Sequence, residues 1–350
     1  MTRPDPTRAP AAVAVVGAAG LIGRAVTRRL RRAGHPVLAV DRRFTAPLDA
    51  EERLVADLGA PTEATSVVDA FAHRGVRAVV YLVSHYDFRN TPDPRYAAVE
   101  AGLQAFLGRM KTLGLTAPVL YSSSMASLAP TEPGCRLTED SPRSGQWAYP
   151  AHKLRCEAIL EQPGFPFPVV ELVLAGVYTD WCELVPLHRH IERVRTGWAT
   201  RNFYPGPTDR GLTYVHEDDV GEAFLRAVER APETPGVLRF LIGEQEPVTY
   251  RTIQQTASRV FFGRPSRLVR VPRPLARLGA RLLSKTGLEP FVRPWMVAFS
   301  GEHFEFDLSR AHRALGWTPS HHLSQELSDM CRRALEAPET WRRKNEARPY

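Results

Sequence analysis

The sequence predicts an α/β protein, a doubly wound parallel sheet with a smaller C-terminal lobe. Three observations predict it. Short β-branched runs alternate with helical stretches through the first half, the signature of βαβ units. A glycine-spaced turn joins the first such run directly to the first helix. From about residue 176 the pattern loosens, and Pro186, Pro205, Pro207, Pro272, Pro274, Pro290 and Pro294 punctuate short elements.

Residues 1–10, with Pro4, Pro6, Pro10 and Asp5, read as a flexible leader rather than the charged start of a secretion signal. The apolar runs 13–16, 36–40, 54–56, 78–83, 118–121 and 168–173 read as buried strands. Helical periodicity falls on 20–33, 62–74, 95–114 and 147–162. Residues 11–175 are therefore assigned to the sheet domain, with the chain crossing back to it near 213–230, and 176–350 to the lobe and C-terminal helices. At 350 residues, 43% hydrophobic and 24% charged, the chain is long enough to bury a large core, which excludes a disulfide-stapled scaffold or a disordered tail. Cys135, Cys156, Cys182 and Cys331 stand far apart with no metal-ligand spacing, so no metal and a reduced, cytoplasmic setting are expected.

The first strand runs into Gly17-Ala18-Ala19-Gly20-Leu21-Ile22-Gly23 and then a helix. Gly17 permits the tight turn, Gly20 lets backbone N–H groups approach a pyrophosphate at the helix N-terminus, and Gly23 lets helix and strand pack closely. This is the context of a Rossmann-type dinucleotide site. Asp41 ends the next strand, where a carboxylate accepts from ribose hydroxyls and repels a 2′-phosphate. NAD is therefore expected, with NADP left open by Arg42 and Arg43 directly after it. Asp57-Leu58 falls at the adenine edge, although Asp57 also fits a strand-end cap.

Tyr149-Pro150-Ala151-His152-Lys153 places a phenol and an ammonium at i and i+4, on one face of a helix. Lys153 is one of only four lysines in an arginine-rich chain. A compact ammonium suits holding a ribose hydroxyl while lowering a phenol's pKa. Upstream, Tyr121-Ser122-Ser123-Ser124 closes a strand and offers hydroxyls for a reacting oxygen. His152 reads as a helix-surface residue.

Taken together, residues 12–330 resemble an extended short-chain dehydrogenase/reductase of the NAD-dependent epimerase/dehydratase family. Besides the motifs above, Thr213 to Val220 is similar to that family's F-x-H-V-D-D-V segment. Phe306 to Arg310 with Leu315 to Pro319 is similar to its C-terminal D-x-S-K-A…L-G-W-x-P. The resemblance implies Tyr149 as acid/base, Lys153 as its activator and ribose anchor, and Ser124 as the oxygen-orienting donor. It also implies a cofactor cradle of Gly17, Ala19, Gly20, Leu21, Ile22, Gly23, Asp41, Arg42, Asp57, Leu58, Leu82, Val83, Ser122, Ala175 and Val177, together with Tyr149 and Lys153. A homodimer paired through helices 95–114 and 147–162 is implied too.

Departures from the family pattern narrow the reaction. Met125 and Ala126 follow Ser124 where dehydratases carry an acid, which disfavours elimination of water. Leu212 stands where sugar-nucleotide enzymes place a diphosphate arginine, leaving Arg210 and Arg201 as nearby candidates. The pocket is expected to be lined by His85, Tyr86, Ser124, Met125, Trp147 and Tyr178. The expected function is NAD-dependent interconversion of a secondary alcohol and a ketone by hydride transfer, on a sugar or sugar nucleotide. The alternative is a ketoreductase or dehydrogenase acting on an apolar ring ketone, and a non-catalytic nucleotide sensor is the third reading.

The net charge of +8 lies in the last hundred residues, with no acid between Glu246 and Glu289. No nucleic-acid motif accompanies it. The amphipathic stretch from Pro274 to Leu283 is expected to cover the pocket rather than to lie on a membrane.

Overall fold

The structure is a computed structural model that describes residues 11–87, 90, 93–286 and 296–346, so the expected leader lies outside the described residues. The sheet half runs β1 (Val13–Val16), α1 (Leu21–Arg32), β2 (Val37–Asp41), β3 (Glu52–Val55), α2 (Pro61–Arg74), β4 (Ala78–Tyr81), α3 (Pro94–Thr112), β5 (Val119–Ser124), α4 (Ala148–Leu160) and β6 (Pro168–Leu174). There follow β7 (Gly176–Tyr178), α5 (Val185–Thr196), α6 (Trp198–Asn202), β8 (Phe203–Tyr204), β9 (Gly211–Leu212), β10 (Tyr214–His216), α7 (Glu217–Glu229) and β11 (Gly236–Ile242). The chain closes with β12 (Val248–Thr249), α8 (Tyr250–Phe262), β13 (Val269–Arg270), α9 (Arg273–Thr286), α10 (Met296–Phe299), α11 (Ser309–Leu315), α12 (Leu323–Glu336) and α13 (Pro338–Glu346).

Seven strands form one sheet in the order β11-β6-β5-β4-β1-β2-β3, each neighbour pair parallel. Parallel strands are covered on both faces and so read as continuous apolar runs. β1 is Val-Ala-Val-Val with every residue buried. One face packs under α2, α3 and α4 around Phe71, Tyr81, Phe106 and Tyr121. The other packs under α1, α7 and α11 around Val26, Phe224 and Trp317. Arg28 and Arg29 of α1 pair with Asp218 and Glu222 of α7, so the returning chain is pinned to the first helix. A third cluster, built from Leu187, Ile191 and Val194 of α5 with Ile253, Leu327 and Trp341, forms the core of the lobe.

β1 has β2 on one side and β4 on the other, so the strand order reverses there, and ligands of such sheets bind at the strands' carboxyl ends beside that reversal. The strand expected over 78–83 stops at Tyr81, because residues 82–83 turn to pack against Gly17. The run expected at 118–121 continues to Ser124, which carries the serines to the sheet edge. β11 was not anticipated. It is an edge strand, half-open at its start, within the stretch whose prolines made it read as irregular.

Candidate active site

The glycine turn is shaped by close approach. Gly17 has φ of +88°, a left-handed conformation that favours glycine, and a Cβ there would lie 3.1 Å from the Leu82 carbonyl carbon. A Cβ on Gly23 would fall 2.2 Å from the Gly17 oxygen, so α1 packs onto the turn only because that residue is glycine. Gly20 is the N-cap of α1 and makes no side-chain cap, and there is no acid in the first turn. The first N–H groups of a helix have no intrahelical partner, so this end is a cradle for an anion. Asp41 accepts the Ala19 N–H on Oδ2 at 2.9 Å, which ties the strand-end carboxylate to the turn. Arg42 and Arg43 are exposed beside it. The turn fits a dinucleotide: the Gly17 and Ala19 N–H groups are taken by the Val40 carbonyl and Asp41, and the glycines allow close approach. The helix end at Leu21 and Ile22 would face the pyrophosphate, with Asp41 toward the ribose.

Asp57 does what a strand-end cap does, accepting the Gly59 N–H on Oδ1 at 2.9 Å. Leu58 is buried against α3, where a Cβ on Gly102 would lie 1.7 Å from the Leu58 oxygen. Ala175 and Val177 pack in and against the sheet core at the exit of β6.

Tyr149 and Lys153 sit on the buried face of α4, 9% and 2% exposed. Lys153 Nζ donates to the Ser122 carbonyl at 2.9 Å and to the Tyr121 hydroxyl at 3.3 Å. It lies 5.9 Å from the centre of the Tyr149 ring. Burial pushes the Tyr149 phenol up, with the Ser124 hydroxyl pulling the other way, and the same burial pushes the Lys153 ammonium down. At neutral pH the Tyr149 phenol is thus protonated, with the Lys153 amine beside its ring. Ser124 caps the short turn after β5, its Oγ accepting the Ala126 N–H at 3.3 Å.

Two features of this region were not read from the sequence. Glu157, one turn beyond Lys153 on α4, accepts from Ser123 at 2.5 Å and from Ser127 at 2.9 Å, and so clamps both flanks of Ser124. His152 is fully buried, not on the surface: its Nδ1 lies 2.7 Å from Glu100 Oε1 of α3, and burial holds it neutral with a pKa of about 4. The four-residue spacing that identified Tyr149 and Lys153 says nothing of α3, which covers the intervening face.

Next to Tyr149 opens a cavity of about 520 Å³. Tyr86 meets the Tyr149 ring edge-on at 4.7 Å and Trp147 lies 5.7 Å from it, and both reach the cavity wall. Of the expected pocket residues, Tyr86, Met125 and Trp147 are in the wall, whereas Ser124 is not, its Oγ being turned to the Ala126 N–H. His85 instead faces Asp93, with Nε2 to Oδ2 at 3.1 Å. Tyr178 lies in the lobe core, its hydroxyl donating to Glu326 at 2.9 Å. Arg201 stacks over the Phe262 ring at 4.0 Å, and Arg210 pairs with Glu132.

The rest of the wall is lobe: Tyr204, Leu212, Tyr250 and Phe304, with Leu275, Ala276 and Gly279 of α9, and on α5 Arg189, His190 and Arg193. The α5 residues were missed. Their helical spacing opposite Leu187, Ile191 and Val194 marks an amphipathic helix, but sequence does not tell whether its polar face meets water or a cavity.

Residues 13–243 match the model of the "NAD dependent epimerase/dehydratase family". The chain is 24% identical over 322 residues to the uncharacterized protein y4nG of Sinorhizobium fredii (strain NBRC 101917 / NGR234), covering 89% of this chain and 76% of that one. Among solved structures it is similar to MoeE5 in complex with UDP-glucuronic acid and NAD, at 20% identity, 93% and 99% coverage and a TM-score of 0.68. It is also similar to the UDP-glucose 4-epimerase of Thermotoga maritima with UDP-glucose, at 18% identity, 93% and 99% coverage and a TM-score of 0.69.

Proposed function

The chain belongs to the NAD-dependent epimerase/dehydratase family, and from that premise we propose that it interconverts a secondary alcohol and a ketone on an apolar ring compound. The observation that carries the substrate reading is the cavity beside Tyr149, whose wall is mostly apolar: Trp147, Tyr204, Leu212, Tyr250 and Phe304 suit a ring face, with Ser144, Gln146, Thr200, Ser300 and Glu302 among its polar residues. Leu212, at the place of a diphosphate arginine, supports the same reading.

NAD, the family's cofactor, supplies the acceptor and donor of the hydride when it is bound. The protein's own part is positioning and proton transfer. Gly17 to Gly23 and Asp41 hold the dinucleotide against the sheet end. Ser124 donates to the reacting oxygen and orients it. Tyr149 gives that oxygen a proton as the ketone is reduced, or takes one as the alcohol is oxidised. Lys153 anchors a ribose hydroxyl and stabilises the phenolate by its charge. Because burial keeps the phenol protonated, reduction proceeds from the resting state at neutral pH, whereas oxidation accelerates as pH rises. Glu157 keeps Ser124 in place through Ser123 and Ser127. Met125 and Ala126 offer no acid for water elimination, so a dehydratase is not proposed.

A second reading, a sugar-nucleotide epimerase, is favoured by the UDP-sugars bound in similar structures. The two separate in one assay, following NADH oxidation with alicyclic and aromatic ring ketones beside epimerisation of UDP-glucose. Turnover of the ketones alone supports the proposal, and turnover of UDP-glucose alone replaces it with the second reading.

A further inference from the structure

Resting on the reading of the cavity as the substrate site, we infer that the substrate also carries an anionic group, a carboxylate or phosphate, which seats on Arg193 of α5. Pro186, Arg189, His190 and Arg193 follow one another at helical spacing along one face of α5 and all reach the cavity wall. The opposite face, Leu187, Ile191 and Val194, is buried in the lobe core. The helix is thus amphipathic in the usual way, except that its polar face is turned to a cavity whose wall is mainly aromatic and aliphatic, with Ser144, Gln146, Thr200, Ser300 and Glu302 as its other polar residues.

Within that face Arg193 stands apart. Its Nε is buried without a hydrogen-bond partner, and no acid among the described residues comes within ion-pair distance of its guanidinium. The neighbouring polar groups do not compensate it. His190 Nε2 meets Gln254 Oε1 at 2.6 Å, and burial holds the ring neutral with a pKa of about 4. Tyr250 directs its hydroxyl to the Glu302 carbonyl at 3.1 Å. A charge held in an apolar wall with no counterion is costly to the folded chain unless a ligand supplies the counterion. The planar fork of arginine matches the two oxygens of a carboxylate or a phosphate. The ring stack of Tyr204, His190 and Tyr250 alongside leaves room for the substrate's apolar body.

The test uses matched fluorescent probes on the full chain: anilinonaphthalene sulfonate, an apolar ring pair with one anionic group, and its uncharged parent, phenylnaphthylamine. The wild-type protein is expected to bind the sulfonate at least about tenfold more tightly than the parent, the worth of a charge-assisted hydrogen bond. Arg193→Gln should abolish that preference while the parent's affinity stays within about twofold, and Arg193→Lys should restore part of it. Arg277→Gln, on the exposed side of α9, should leave the preference intact, which excludes capture by surface arginines. Naphthoate and naphthyl phosphate as competitors tell which anion is preferred. Retention of the preference in Arg193→Gln, equal loss of both probes in that variant, or failure of both competitors would each overturn the inference. Uptake of neither probe by the wild-type protein would instead remove the apolar-substrate reading on which it rests.

Discussion

The proposed catalytic side chains at the sheet end and the polar groups of α5 in the lobe are held differently. At the sheet end each functional side chain is already held by the protein: Asp41 by the Ala19 N–H, Lys153 by the Ser122 carbonyl, Ser124 by the Ala126 N–H, and its flanking serines by Glu157. In the lobe, the Arg193 Nε and both ring nitrogens of His188 are buried with no partner. The first region is organised before any ligand arrives, as catalysis by positioned charge requires. The second holds unsatisfied groups, Arg193 in the cavity wall and His188 against Trp341. Under the proposed function, chemistry and recognition would be divided between two parts of the chain, and each part is expected to respond differently to substitution.

The largest effect is expected where preorganisation is deepest. Lys153→Met leaves the Ser122 carbonyl without its donor and Tyr149 without its cation, so turnover should fall by about 10²- to 10⁴-fold. Steady-state kinetics set beside a urea midpoint separates this from unfolding, and a loss under tenfold with the fold intact would erase the contrast. Next comes Gly23→Ala. Its Cβ meets the Gly17 oxygen at 2.2 Å, so α1 must shift from the turn. Calorimetric NAD binding should be lost, with roughly 1–3 kcal/mol of stability. Retained NAD affinity would show that the turn is not the cradle.

Smaller effects are expected from the lobe core. His188 is buried, its pKa pushed down to about 4 by burial, and neither nitrogen is bonded. A folded pKa below the unfolded value of about 6.5 means that its stabilising contribution is complete above that value and is lost as pH falls toward 4. Burial pushes Glu244 up to about 8 and Glu171 to about 7, and these carboxyls act in the opposite sense, weakening the fold as pH rises above their unfolded value. His188→Leu should therefore raise stability at pH 7 by about 1 kcal/mol and flatten its acid limb, read from denaturant midpoints at pH 7.5 and 5. A destabilised variant would mean that the ring's contact with Trp341 outweighs its unbonded nitrogens.

The same division explains what the sequence revealed. Strand-to-helix alternation, the glycine turn and the Tyr149–Lys153 spacing are local patterns, and local patterns survive translation into a fold. Glu157 escaped notice because a glutamate one turn past the lysine has no signature until Ser123 and Ser127 are seen to fold onto it. His152 was misplaced because the cover it receives from α3 is a long-range contact. Arg193 was indistinguishable from the other arginines in a chain rich in them. Tyr178, Arg201 and Arg210 were nominated for the pocket by their place in the motif order. The fold instead engages them with Glu326, Phe262 and Glu132, away from the cavity.

The proposed proton transfer rests on Tyr149. The decisive measurement follows NAD reduction by alicyclic alcohols that bear a carboxylate, in wild-type protein and Tyr149→Phe, with NAD affinity determined for both. Wild-type turnover that falls by at least about 10²-fold in the variant while NAD affinity is unchanged is the predicted result. Equal turnover in the two proteins would contradict the assignment of Tyr149 as the proton-transferring group.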